Sequence, residues 1–316
     1  MSGLLRRLMG RFGRGVFEPE DRLSKLEGAI GALADAPARF DFIGPESSGE
    51  MSFPVSLSAI PSMLRIMGPM RENMNLASTS VDENPVEPKV EVDEPTLEEL
   101  RGYARSLGLG ELGYTKLPRK LIFKEKAVLY DNVIVLSMEM DRAKIEKAPS
   151  TETRIMILET YNELGIAANR ITEFLRERGY GAQAGHPLGG VTIYPPLGEL
   201  AGMGWHGRHG MLITPEYGPR HRLAAVYTSI GNLPLSDMNS HAWIGEFCKT
   251  CGRCIEACPS GAILDTPVSH ENGVVTHIER DLCFPVFLRQ HGCSICIKEC
   301  TFNRTSYESL RSNWEG

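Results

Sequence analysis

Apolar residues recur with a period near 3.6 across residues 153–178, where Leu158, Tyr161, Leu164, Ala168, Ile171 and Leu175 fall on one face. That spacing predicts a long helix, which Gly179 ends. Thr96 is placed to cap a second helix, with Glu98 and Glu99 in its first turn and an end near Leu107. Val133 to Leu136 is an unbroken apolar run and reads as a buried strand. Further strands are expected at 211–214 and 222–228. Helix and strand alternate, so residues 96–245 are expected to form an α/β (α+β) core. Residues 78–97 are rich in Asp, Glu, Pro and Val and read as an exposed linker. Before them Met63, Met67, Met70 and Met74 recur at helical spacing, the mark of core packing or of an adaptable docking face. Gly68-Pro69 interrupts that pattern and argues against a continuous helix. The chain thus divides into residues 1–95, a core at 96–245 and a third segment at 246–316.

The third segment changes the picture, because all eight cysteines lie in it. The first four read Cys248-x2-Cys251-x2-Cys254-x3-Cys258-Pro259, and the second four read Cys283-x9-Cys293-x2-Cys296-x3-Cys300. The first run has the spacing with which bacterial ferredoxins hold [4Fe–4S] clusters, the fourth thiolate crossing to the other cluster. Cys248, Cys251, Cys254 and Cys300 are therefore expected to hold one cluster, and Cys258, Cys283, Cys293 and Cys296 the other. Disulfides would require an oxidising compartment, for which no secretion signal argues. Paired C-x2-C also suits zinc, but zinc motifs rarely carry three cysteines at successive two-residue gaps.

Composition adds bounds. A hydrophobic content of 42% and a charged content of 23% are ordinary for a soluble globular chain. A net charge of −6 gives no reason to expect a nucleic-acid partner. No apolar run approaches the ~18 residues of a membrane span. Residues 1–17 carry Arg6, Arg7, Arg11 and Arg14 and no acid. The arginine pair suits twin-arginine export, but Gly10 and Arg11 break the apolar stretch that export needs, so a cytoplasmic protein is expected. Leu4, Leu5, Leu8, Met9 and Phe12 share one helical face. Peripheral membrane contact there competes with a frayed tail or a docking helix.

Two G-x-G-x-x-G strings, Gly108–Gly113 and Gly202–Gly207, lack the strand-turn-helix context of a dinucleotide site and read as turns. His206 and His209 stand in the second, in Gly204-Trp-His-Gly-Arg-His-Gly210. The cobalt-ligand signature D-x-H-x-x-G is absent.

Asn132-Val-Ile-Val-Leu-Ser-Met-Glu-Met-Asp141, Ala148-Pro149-Ser150, Met211-Leu-Ile-Thr-Pro-Glu-Tyr-Gly-Pro-Arg220 and Cys293-Ser-Ile-Cys-Ile-Lys-Glu-Cys-Thr-Phe-Asn303, in this order, resemble the cobalamin-dependent reductive dehalogenase family. The resemblance implies a nitroreductase-like core holding base-off cobalamin, followed by a ferredoxin-like module with two [4Fe–4S] clusters. It implies a tyrosine proton donor, matched by Tyr161, and an arginine beside it, matched by Arg220. A phenol with a pKa near ~10 is a poor acid at neutral pH, and a neighbouring guanidinium favours its ionised form. A core tyrosine would also sit on that apolar helix face. Corrinoid contacts are expected from Gly204, His206, Gly207, Thr214 and Pro215. The reaction implied is reductive dehalogenation of a small organic substrate, with electrons from a reduced ferredoxin or flavodoxin.

The chain departs from the family at Thr301, where such runs carry proline, and after Gly179-Tyr180, where His186 is the nearest polar match. The sister family of epoxyqueuosine reductases has a similar glycine-rich segment, but its acidic donor has no counterpart in Gly189-Gly-Val-Thr-Ile-Tyr-Pro-Pro196. The competing class is an electron-transfer protein of the same fold that has lost the corrinoid.

Overall fold

The computed structural model describes residues 22–38, 60–236 and 238–315. The arginine-rich segment 1–17 and the Met63 side chain lie outside the described residues. Helix α1 (Ile60–Thr79) runs straight through Gly68-Pro69, against the expected break. Proline inside a helix costs roughly 3 kcal/mol. Here Ile66, Met70 and Met74 are buried against Ile155, Leu158, Tyr161 and Leu188, and this packing outweighs the local penalty. The methionine stripe is therefore a packing face.

Residues 78–97 are not an exposed linker. Ser78, Ser80, Val81 and Val92 are buried, and Asn232 accepts from the Val92 N–H and donates to its carbonyl, both at 2.9 Å. Helix α2 (Glu94–Ser106) begins earlier than expected, because Asp93 rather than Thr96 caps it: the Thr96 N–H donates to Asp93 Oδ1 at 2.9 Å.

The sheet is antiparallel. Strands β1 (Gly113–Lys116), β2 (Asn132–Glu139), β3 (Ala182–Gly185) and, later in the chain, β6 (His221–Thr228) stand in the order β1-β2-β6-β3. On β2 the side chains alternate between two cores. Ile134, Leu136 and Met138 face one that includes Leu164, Ile171 and Leu175 of helix α4. Val133 and Val135 face another that includes Tyr227 and Leu197. Both faces are covered, which is why the strand reads as an unbroken apolar run. Ala77 and Val92 belong to the first core and Leu23 and Val81 to the second, so residues before 96 help build both.

Helix α3 (Arg142–Glu146) leads into α4 (Thr151–Glu177), which Ser150 caps by accepting from the Thr153 N–H. Gly179, at φ +86°, allows the chain to leave α4. After α5 (Tyr194–Leu200) comes a tight hairpin of β4 (Trp205–His206) and β5 (Leu212–Ile213).

The C-terminal module opens with α6 (Trp243–Cys251) and α7 (Arg253–Glu256). An antiparallel pair, β7 (Ile263–Ser269) with β8 (Val275–Ile278), follows. Helices α8 (Arg280–Arg289), α9 (Ile295–Lys298), α10 (Thr301–Arg304) and α11 (Tyr307–Glu315) complete it. It is pinned to the core by Lys298 Nζ on the Ala148 carbonyl (3.0 Å), Asn303 on Glu146 (2.9 Å) and Arg154 on the Leu288 carbonyl (2.9 Å). No helix among the described residues is long and apolar enough to cross a membrane.

Candidate redox and catalytic site

Two half-repeats, Cys251-x2-Cys254-x3-Cys258 and Cys293-x2-Cys296-x3-Cys300, wrap the short helices α7 and α9. Gly252 and Ser294, each directly after the first cysteine, both take φ +63°, the left-handed bend that turns the chain back on itself. Cys248, Cys251, Cys254 and Cys300 line one cavity, with Arg208, His209, Phe247 and Thr301 also in its wall. Cys300 thus reaches across from the second half-repeat. Burial is the main cause that raises the Cys283 and Cys296 thiols; Cys258 and Cys293 add to it at Cys283, and Cys293, Cys283, Cys254 and Cys258 add to it at Cys296.

The electrostatics suit bound cations. Burial pushes Cys254 up to about 11 and Cys248 to about 12, and raises Cys296 and Cys300 as well. Thiols this reluctant to ionise alone become thiolates when metal shares their charge. Cys258 differs. Burial raises it too, but the Ser260 hydroxyl and the backbone N–H groups of Ser260, Ala262 and Ile263 outweigh that and lower it. Thr301 Oγ1 lies 3.1 Å from Cys251 Sγ, so the residue in proline's place offers a hydroxyl to a sulfur. No cysteine is in a disulfide. Among the described residues no three His, Cys, Asp or Glu side chains converge on a single-ion position; the thiols wall a space instead. An all-thiolate donor set around such a space fits an iron–sulfur cluster.

Tyr161, half-buried on α4, packs with Cys296 against the same apolar group of Met140, Ile145, Met156, Ile157 and Ile297. Its ring faces a guanidinium, but not the expected one. Arg222 lies 4.5 Å from the ring centroid. Arg220 instead pairs with Glu139 at 3.2 Å and donates to the Tyr217 carbonyl at 3.0 Å. The expected pairing of Tyr161 with Arg220 gives way to Arg222, which the sequence reading missed; its position two residues beyond Arg220 was the only signal.

His186 is buried beside α4. The Leu188 backbone holds its Nδ1 (2.8 Å to the carbonyl oxygen), while Nε2 has no partner in the protein. The ring lies over Gly165, where a Cβ would stand 2.0 Å from Nε2. Gly165 is one helical turn beyond Tyr161, so His186 caps the same end of the α4 face. Burial pushes its pKa down to about 4. Arg220 Nε and Arg222 Nε are also buried and unpartnered. Buried donors without acceptors are costly, and a ligand fringed with amide carbonyls, as a corrinoid is, fits these atoms.

The glycine-rich segment forms the β4–β5 hairpin. A Cβ on Gly204 would come within 2.1 Å of the Ile213 carbonyl oxygen, and one on Gly207 within 2.7 Å of the His209 ring. His206 donates its backbone N–H to Glu199 at 3.1 Å and turns its ring onto the same carboxylate. Thr214 Oγ1 accepts from the Tyr217 N–H at 3.2 Å, and Pro215 lies in the turn between them. These glycines let the β4–β5 hairpin fold tightly, and its tip, Arg208 and His209, borders the cysteine cavity.

A model of the 4Fe-4S binding domain matches residues 242–264. Over 188 residues the chain is 35% identical to a tetrachloroethene reductive dehalogenase of Desulfitobacterium hafniense, covering 55% of this chain and 33% of that relative. An epoxyqueuosine reductase of Gloeobacter violaceus is 25% identical over 225 residues, covering 67% of this chain and 69% of the relative. The solved catabolic reductive dehalogenase NpRdhA superposes with a TM-score of 0.67 at 19% identity, over 90% of this chain and 43% of that one. The chain spans about a third of the length of the dehalogenase relatives it matches. Its mixed fold, its cysteine runs and these likenesses agree, and they make the chain similar to the reductive dehalogenases and the epoxyqueuosine reductases.

Proposed function

We propose that the protein is an iron–sulfur oxidoreductase that reduces a small organic substrate, with carbon–halogen bonds as the leading target. The observation that carries this reading is the shared packing of Tyr161 and Cys296. It sets a proton-bearing phenol and a cysteine of the proposed electron-carrying centre against one apolar cluster. In this reading Cys248, Cys251, Cys254 and Cys300 hold one [4Fe–4S] cluster, and Cys258, Cys283, Cys293 and Cys296 the other. Electrons enter from a reduced ferredoxin or flavodoxin.

Tyr161 gives its phenolic proton to the substrate carbon, and Arg222, over its ring, stabilises the negative charge left on oxygen. Arg220 stays tied to Glu139 and positions the start of β6. Met70, Met74 and Leu188 keep water from the buried side of Tyr161. Cobalamin, when bound, supplies the two-electron reductant for the carbon–halogen bond. Arg220, Arg222 and His186, with their unpaired nitrogens, are the residues to hold it. Likeness to a dehalogenase structure described as B12-dependent supports this choice. A cytoplasmic location belongs to the same proposal, since a reducing compartment suits eight thiols free of disulfides.

A second reading is favoured by one observation: the chain covers 69% of an epoxyqueuosine reductase. Nucleic acid, set aside on net charge, therefore remains a candidate substrate class. Protein produced anaerobically with cobalamin separates these readings. About one cobalt per chain, with a Co(II) EPR signal free of nitrogen splitting and turnover of organohalides, supports the first. Cobalt without organohalide turnover, but with reduction of modified RNA, supports the second. Two clusters without cobalt after reconstitution would leave an electron carrier.

A further inference from the structure

The β4–β5 hairpin tip has more to do with the cysteine cavity than its glycines suggest. Burial raises the Cys248 and Cys254 thiols, and the backbone N–H groups of Arg208 and His209 respectively act the other way, which sets this tip against those sulfurs. The turn is closed by Gly210 N–H donating to the Gly207 carbonyl at 2.9 Å. The His209 side chain, 1% exposed, is oriented from its other edge, where Met211 N–H donates to Nδ1 at 3.1 Å. An imidazole that accepts at Nδ1 carries its proton on Nε2 when neutral. Because Nδ1 is occupied as an acceptor, the ring's proton sits on Nε2. Nε2–H is then a buried donor with no acceptor in the protein, on a residue that lines the cavity of Cys248, Cys251, Cys254 and Cys300.

We propose that His209 Nε2–H donates a hydrogen bond to a sulfur of the [4Fe–4S] cluster held by these four cysteines, and thereby raises its reduction potential. The inference rests on the proposed cysteine assignment. A donor aimed at a cluster sulfur favours the more negative, reduced state, and such bonds are among the levers that set cluster potentials. His209 is a positioning group for charge and touches no substrate. The competing acceptor is His277 Nδ1, which is also buried without a partner.

EPR-monitored redox titration of the full chain tests this, alongside pulsed EPR of wild type labelled with 15N-histidine. His209→Leu should lower the midpoint potential of one cluster and leave the other in place. His209→Gln, which keeps an N–H at similar reach, should recover part of the shift. The labelled wild type should show a histidine 15N coupling in the reduced state. Unchanged potentials in His209→Leu together with no such coupling would overturn the proposal and assign the donor to His277. If Cys248→Ala loses no iron, the cysteine assignment itself fails and the proposal falls with it. The two failures are read from different proteins.

Discussion

Arg222 places its guanidinium carbon 4.5 Å from the centre of the Tyr161 ring, joining the start of strand β6 to the middle of α4. A cation over a phenol ring contributes roughly 0.5–2 kcal/mol, more as the site is desolvated. We predict that Tyr161→Phe lowers turnover by about 10²- to 10⁴-fold, the usual worth of a placed general acid. Arg222→Met should cost about 2- to 30-fold, the kinetic equivalent of that contact. Arg220→Met should cost less, since its charge is engaged by Glu139. Dye-linked turnover with reduced viologen measures all three, with cluster EPR confirming that the centres survive. An Arg220 effect equal to or larger than that of Arg222 would sink the assignment.

The crossed cysteines make an epistasis prediction. Cys248→Ala and Cys300→Ala should strike the same cluster although they lie in different half-repeats. The double variant should therefore retain one cube's worth of iron and sulfide. Cys248→Ala with Cys258→Ala should strike both and retain neither. Iron and acid-labile sulfide per chain decide the matter, and equal losses in the two doubles would refute the crossing.

Much of this was legible beforehand. An unbroken apolar run announced β2, the 3.6 period announced α4, and the cysteine spacing put together the four thiols that line one cavity. The rest depended on contacts that sequence does not encode locally. Pro69 was read as a break because its cost is local, whereas the burial of Met70 and Met74 that offsets it comes from α4. Residues 78–97 looked like linker because charge and proline dominate, yet Val81 and Val92 suffice to anchor them. Arg220 and Arg222, two residues apart at the start of β6, are alike to any pattern, and only the approach of α4 separates them. The glycines near 204 were legible as a tight turn, but not as one folded against the cysteines.

His186 yields a pH prediction. Its folded pKa, about 4, lies below the ordinary 6.5 because burial disfavours the charged ring. Between these values the unfolded chain binds a proton that the folded chain does not. Unfolding free energy therefore rises with pH in this window, and stability is lost as pH falls from about 6.5 toward 4, at up to roughly 1.4 kcal/mol per pH unit. Anaerobic urea titrations from pH 7.5 to 5 should show a shallower acid decline in His186→Gln than in wild type. Parallel slopes would show that the imidazole is not held neutral.

On the proposed assignment Cys258 and Cys300 are each lent to the opposite half-repeat, and neither half alone completes a cluster. The order of synthesis then matters. A ribosome releases Cys248, Cys251 and Cys254 well before Cys300, so the first site stays one ligand short until Cys300 has emerged. Cofactor delivery must then wait until both half-repeats have been made and have met, so this module is completed only after its own synthesis.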